Sequence, residues 1–186
     1  MVKPWETRER QEIGNFKIFT LRQDLCRAPR TGQDHLFYVL AAPDWINVIA
    51  LTPAGQVVLI HQYRHGTEEV TLEIPGGMVD PEDGDPAEAA RRELLEETGY
   101  AAAELRHIGS VTPNPAFLDN RCHTYLALDA RPVQAPQFDG REEIAVELVE
   151  LAAVPGLIAD GRISHALVIA GFYHLENYRR HSARPF

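Results

Sequence analysis

Glu93, Glu96 and Glu97 place three carboxylates within five residues. On a helix, residues four apart share a face, so Glu93 and Glu97 align and Glu96 lies beside them. Three such charges on one and a half turns repel one another. The bases Arg91 and Arg92 lie only on the N-terminal side of the cluster. Acids near a helix C-terminus also oppose the helix dipole, by a few tenths of a kcal/mol. The alternative is a charged surface helix. A divalent cation on the cluster would make it favourable, and oxygen-only ligands point to a hard ion, Mg²⁺ or Mn²⁺. Just upstream, Glu73-Ile74-Pro75-Gly76-Gly77 predicts a strand running into a glycine turn where a ligand can approach the backbone.

The acidic segment needs a helix to hold it. Pro86 at the first turn and Gly99 just past Thr98 punctuate one, with Ala87, Ala90 and Leu94, and Ala101 beyond it, available to the core. Strands are expected at Trp45–Leu51, Val57–Tyr63, Val70–Ile74, Leu105–Val111, Cys122–Leu128 and Ile144–Leu151. Helices near Ala152–Ala159 and Ser164–Arg180 close the chain. Residues 1–13 are polar apart from Trp5, and alternation around Phe16–Leu21 and Leu36–Leu40 predicts a two-stranded antiparallel appendage over 14–41. This order indicates an α/β (α+β) sandwich with residues 1–44 as appendage and 45–186 as main domain.

The chain has 186 residues and a formal net charge of -9, which fits one domain with a small addition and argues against broad nucleic-acid binding. A small phosphorylated ligand is compatible if a metal ion supplies local positive charge. No apolar run approaches the roughly 20 residues of a membrane helix, and the N-terminus has no apolar signal core. Cys26 and Cys122 form no CxxC and read as free thiols in a reducing cytoplasm, the alternative being a long-range disulfide. His61 and His65 would share a strand face about 13 Å apart, too far for one zinc. Zincin, P-loop, nucleophile-elbow and dinucleotide-fingerprint motifs are absent.

The segment GGMVDPEDGDPAEAARRELLEETGY resembles the Nudix box, G-x5-E-x7-R-E-U-x-E-E-x-G-U, with U bulky and apolar. Arg92, Glu93, Leu94, Glu96, Glu97 and Gly99 match its second half, with Tyr100 at the last apolar place. The first half departs. Counting forward from Gly77 puts Asp83 at the loop acid, and counting back from Arg92 lands on Gly84. The loop is thus one residue longer, with Asp for Glu. Upstream, VVLIHQYRHGTEEVTLEIPGG is similar to the ADP-ribose pyrophosphatase branch, with a Q-Y-R strand before the E-I-P-G-G turn. Pro115 lies about where that branch has a proline.

The resemblance implies a Nudix-type α/β/α sandwich with a mixed sheet, an N-terminal β appendage that builds a homodimer and its substrate pocket, and hydrolysis of a diphosphate by water. Matched positions imply Glu93, Glu96, Glu97 and the Gly76 carbonyl as metal ligands. They imply Arg92 as a group orienting a ligand carboxylate, beside Glu88 and Glu96. Arg64 is the candidate diphosphate contact, since a guanidinium grips phosphate oxygens in pairs; the alternative is a strand-edge surface arginine. For the general base, the loop at 139–144 offers Glu142, with Glu93 as the other candidate. Asp139 and Glu143 read as a charged turn. Trp5, Trp45, Phe117 and Tyr125 are each read as packing residues before base-stacking ones.

The expected substrate is ADP-ribose or a related nucleoside diphosphate sugar, cleaved with Mg²⁺, for which Mn²⁺ is a possible substitute, to a nucleoside monophosphate and a sugar phosphate. The alternatives are a dinucleotide, coenzyme or nucleoside triphosphate, or a non-catalytic ligand-sensing module. The last has no need of a mutually repulsive Glu93, Glu96, Glu97 cluster. Partners are a small nucleotide and a second copy of the chain, with neither nucleic acid nor membrane.

Overall fold

The computed structural model describes residues 1–138, 140 and 143–182, in two compact units. The first comprises Met1–Pro43 and Thr112–Arg121; the second comprises Asp44–Val111 and the chain from Cys122 onward.

In the first unit, β1 (Glu6–Asn15), β2 (Thr20–Arg27) and β3 (Asp34–Ala41) form an antiparallel sheet with β2 in the middle. The appendage therefore has three strands, where two were expected from 14–41. Alternation reports a buried face, and β1 is almost wholly exposed, so its sequence carries no such signal. Polar pairing ties it in instead: Arg10 grips buried Asp24 on β2 with two bonds of 2.9 and 3.0 Å. The 112–121 segment joins this unit through the Leu40 N–H, which donates to the Phe117 carbonyl at 2.8 Å.

The second unit contains β4 (Trp45–Ala50), β5 (Gln56–Arg64), β6 (Glu69–Glu73), β7 (Gly76–Met78), α1 (Pro86–Thr98), β8 (Tyr100–Ala101), β9 (Glu104–Val111), β10 (Cys122–Leu128), β11 (Arg131–Pro132), β12 (Ile144–Glu150), α2 (Val154–Ala159) and α3 (Ala166–His181). One sheet is mixed, in the order β7-β4-β10-β9, with β4 and β10 parallel. A second, β12-β5-β6, is antiparallel, and β8 pairs with β11. This is a mixed α+β fold with a mixed sheet.

Strand period explains why β4, β5 and β10 are apolar on both faces. From β4, Ile46, Val48 and Ala50 pack with Ala89, Ala90 and Leu94 of α1. The alternate residue Ile49 packs with Val168, Phe172 and Leu175 of α3. β10 divides likewise, with Tyr125 and Ala127 toward α1 and Leu126 toward α3. Full burial of a side chain such as Leu94 contributes roughly 2 kcal/mol. Ala89, which the sequence reading passed over, is fully buried beside Ala90.

Gly76 and Gly77 were expected in a turn. They lie in a short strand instead, paired antiparallel with β4, Gly76 opposite Asn47 and Gly77 opposite Ile46. The approach is too close for a side chain: a Cβ on Gly76 would lie 2.4 Å from the Ile46 carbonyl oxygen. The helix boundaries of α1 match the expected Pro86 and Thr98. Asp85 caps it by accepting from the Ala87 and Glu88 N–H groups, and left-handed Gly99 closes it.

Both cysteines are free and buried. Tyr125 is a core residue, whereas Trp5 and Phe117 are exposed, with Trp5 edge-on to Phe37 at 5.3 Å. His61 pairs with Glu147 at 2.7 Å. Among the described residues, no helix is long and apolar enough to cross a membrane.

Gly99→Ala tests the cap. Its φ of 73° disfavours a side chain, and a Cβ would sit 2.1 Å from the Gln134 carbonyl oxygen. The left-handed conformation alone costs about 1–2 kcal/mol. Calorimetry is expected to show a melting temperature lower by at least about 2 °C.

Candidate active site

Helix α1 presents its acidic face to the glycine strand β7. Glu97, only 3% exposed, accepts a hydrogen bond from the Gly76 N–H at 2.9 Å. A Cβ on Gly77 would lie 2.3 Å from Glu93 Oε1, so the Glu93 carboxylate rests directly against the backbone. Backbone contact thus requires Gly76, whereas a side chain at Gly77 would displace the Glu93 carboxylate. Gly76 makes room for β4 and Gly77 for Glu93.

Arg92 organises the rest. Its guanidinium contacts Asp83 at 2.8 and 2.9 Å, Glu93 at 2.8 Å, Glu96 at 3.2 Å and the Met78 carbonyl at 3.1 Å. Asp83 above all raises the Arg92 pKa, and Arg92 holds the Asp83 carboxyl below its usual range. The longer loop is thereby resolved. Asp83 closes a short 3-10 turn, Pro81–Asp83, and Gly84, with a φ of 76°, takes up the extra residue before Asp85. The i±4 spacing set Glu88 beside Arg92, but Glu88 pairs instead with Arg91 at 3.5 Å.

A second network lies on β5, β6 and the residue before α3. Arg64 makes a two-bond fork on Glu73, both at 2.8 Å. The paired grip expected for phosphate is therefore spent on a carboxylate, because β5 and β6 are neighbouring strands with Ile60 opposite Glu73. Thr71 donates to Glu73 at 2.6 Å, and His165 Nδ1 lies 2.5 Å from its Oε2. Glu73 is 2% exposed. Burial works to raise its pKa, but the bonds from Arg64 and His165 and the Arg64 charge outweigh it and hold the carboxyl far below its usual range.

A cavity of about 430 Å³ joins the two networks. Gly76, Gly77, Asp80 and Glu93 line it together with Arg64, Glu73 and His165, and with Asn47 and Gln62. This volume is typical of a small-molecule site. Trp45 and Cys122 also line it, and burial pushes the Cys122 thiol up to about 12, so it is no nucleophile at neutral pH. Glu142 and Asp139 lie outside the described residues. Glu143 is exposed.

The donor chemistry of Glu93, Glu96 and Glu97 fits a hard divalent cation, with only carboxylate oxygens and a surplus of negative charge beside bare glycine backbone. In the described arrangement protein donors hold these oxygens, Arg92 taking Glu93 and Glu96 and Gly76 taking Glu97. Among the described residues, no three His, Cys, Asp or Glu side chains form a ready cage.

His165 escaped the sequence reading. It is a lone histidine 92 positions from Glu73, and only the fold makes them neighbours. Another row, Asp44–His123–Ser110–His107, has the acid–imidazole–hydroxyl order of serine hydrolases. Ser110 Oγ is held between two rings, however, and none of the four lines the cavity.

The Glu73 carboxyl sets a pH test. Its folded pKa lies below the unfolded value, roughly 4.3. It therefore contributes stability above that pH, and this is lost as pH falls toward the folded value. Urea unfolding at stepped pH should show Glu73→Gln with a flatter loss of stability between about pH 5 and pH 2 than the wild type. An identical acid limb would remove Glu73 from the acid response.

Comparison with known proteins agrees with this geometry. The NUDIX domain family model matches residues 43–172. The chain is 29% identical over 174 residues to the methanol dehydrogenase activator of Bacillus methanolicus, covering 92% of both chains. It is 28% identical over 146 residues to the ADP-ribose pyrophosphatase of Bacillus subtilis (strain 168), covering 78% of this chain and 77% of that one. A solved structure described as an ADP compounds hydrolase superposes with a TM-score of 0.85 over 99% of this chain and 98% of its own, at 20% identity, and so shares the fold. Family match, box residues and fold together place the chain in the Nudix hydrolase family.

Proposed function

We propose that the protein hydrolyses the diphosphate of ADP-ribose or a related nucleoside diphosphate sugar, yielding a nucleoside monophosphate and a sugar phosphate. One observation carries this reading above all. A single cavity brings the box carboxylate Glu93 together with Arg64. A diphosphate ester needs both, cation-binding acids at the reacting phosphorus and a positive group beside them. The ADP-ribose pyrophosphatases among the relatives support the substrate class.

Glu93, Glu96 and Glu97, with the Gly76 carbonyl, would hold the cation, Mg²⁺ with Mn²⁺ as a substitute. When bound, the cation offsets phosphate charge and acidifies water. The protein's own part is positioning. Arg92 keeps Glu93 and Glu96 oriented. Gly76 pins Glu97. Arg64, locked by Glu73, supplies fixed positive charge at the cavity and needs no reorganisation as charge develops on the phosphate. Glu142 is the favoured general base and Glu93 the other.

Residues 1–44 are proposed as the dimer and substrate-pocket element, and 45–186 as the hydrolase domain. On β3, Leu36, Phe37 and Tyr38 are all exposed, as are Trp5, Ile13, Phe16 and Ile18. Consecutive residues of a strand face opposite sides, so both faces of this sheet carry apolar groups that a second copy would cover. Two buried free thiols fit a reducing cytoplasm.

A panel of nucleoside diphosphate sugars, dinucleotides, coenzymes and nucleoside triphosphates with Mg²⁺ or Mn²⁺, with products identified by mass, tests the reaction. Turnover of ADP-ribose to AMP and ribose phosphate is expected. Glu97→Gln should lose most turnover while remaining folded, and full activity at limiting Mg²⁺ would sink the metal assignment. Under saturating metal, Glu142→Gln is expected to lower kcat by roughly 10²–10⁴-fold with little change in substrate affinity. A near-normal rate with unchanged metal dependence would move the base to Glu93. Light scattering should give twice the mass of 20.8 kDa; an active monomer at micromolar concentration would refute the dimer.

A further inference from the structure

Beside Arg64, the wall of the cavity formed by β4, β5 and the residues at the start of α3 carries hydrogen-bond acceptors. Glu73 is ionised and can only accept, so the proton of its contact with His165 sits on Nδ1. In the neutral imidazole that leaves Nε2 as a lone pair. The His165 side chain is 37% exposed and lines the cavity. Among the described residues, Glu73 is its side-chain hydrogen-bond partner.

Two amides stand beside it. Asn47 and Gln62, each 6% exposed, line the same cavity. Asn47 Oδ1 and Gln62 Oε1 are buried with no hydrogen-bond partner among the described residues. The Asn47 amide cannot simply be turned over, because its Nδ2 donates to the Leu167 carbonyl at 3.1 Å. Native interiors rarely leave such oxygens unpaired, and when they do a ligand or water is the usual completion.

An array of acceptors does not complement a phosphate, whose oxygens are acceptors too. It complements hydroxyl groups. We propose that His165, steered by Glu73 and backed by Asn47 and Gln62, forms a subsite for the hydroxyl-bearing sugar of a nucleoside diphosphate sugar. This rests on the diphosphate hydrolysis proposed above and adds which part of the substrate meets which wall. The sugar hydroxyls donate to His165 Nε2 first and to the amide oxygens behind it. The phosphates lie on the side of Arg64 and the box acids. A buried acceptor left unpaired penalises any substrate without a matching donor, so the subsite discriminates by hydroxyl content.

Two probes separate this subsite from the hydrolytic machinery: ADP-ribose, and the β-methyl ester of ADP, which keeps the phosphoanhydride and lacks the sugar. Steady-state kcat and KM are measured for the wild type, His165→Phe and His165→Gln. The wild type is expected to favour ADP-ribose. In His165→Phe, which keeps a ring and removes the acceptor, the loss of kcat/KM on ADP-ribose should exceed the loss on the methyl ester by about tenfold, chiefly through KM. His165→Gln, which restores an acceptor, should recover part of the difference. Equal losses on both probes would mean a structural role and overturn the subsite. So would a wild type with equal kcat/KM for the two, which needs no folded variant to be read. A wild type that cleaves neither probe removes the proposed reaction itself, a result distinct from either.

Discussion

Arg92 is the contact on which the acidic face depends. Glu93 and Glu96 stand within one turn of each other, with Glu97 next to them and Asp80 and Asp83 in the loop before the helix. The guanidinium reaches four of these, Asp80 at 3.5 Å and Asp83, Glu93 and Glu96 at 3.2 Å or less. Without that one cation, repulsion would splay the carboxylates toward solvent. With it, the loop is tied to the helix and the acids are aimed at β7. A lysine could not do the same, because only a planar fork can take Asp83 with two bonds and still reach Glu93 from the same group.

Steric bareness is the companion constraint. Glu93 rests on the backbone of β7 because Gly77 has no side chain, and β7 fits against β4 because Gly76 has none: a Cβ there would overlap the Ile46 carbonyl. The strand thereby serves the sheet through β4 and the site through Glu93 and Glu97 at once. Packing makes the arrangement rigid. Ala89, Ala90 and Leu94 seat the other face of α1 on β4 and β10, so the acidic face cannot rotate away without opening the core.

Glu73 organises the opposite side of the cavity by the reverse logic, a buried anion that collects donors. Arg64, Thr71 and His165 all point to it. A carboxylate taken out of water is tolerable only with such partners. Its satisfaction fixes the Arg64 guanidinium and the His165 tautomer in one step. The cavity is therefore lined by acids of the box segment, Asp80 and Glu93, by the amides of Asn47 and Gln62, and by the Arg64–Glu73–His165 network.

Much of this was legible in the residues. The acidic helix and its ends could be read because Pro86, Gly99 and the Glu93, Glu96, Glu97 spacing are local signals, set by backbone geometry within one element. The central strands of both sheets could be read because β4, β5 and β10 are buried on both faces and so are largely apolar. β1 could not, since a strand with both faces in solvent leaves no periodicity. Nor could the strand at Gly76–Met78, where glycines signal a turn as readily as close sheet pairing. Counting placed the loop acid at Asp83, but its two-bond contact with Arg92 was not legible, since helical spacing set Arg92 only beside Glu88 and Glu96. Arg64's engagement with Glu73, the arrival of His165 at the same carboxylate, and the unpaired oxygens of Asn47 and Gln62 are facts of tertiary structure alone. They join residues up to about ninety positions apart, and sequence spacing carries no information on contacts that exist only after sheets and helices have packed.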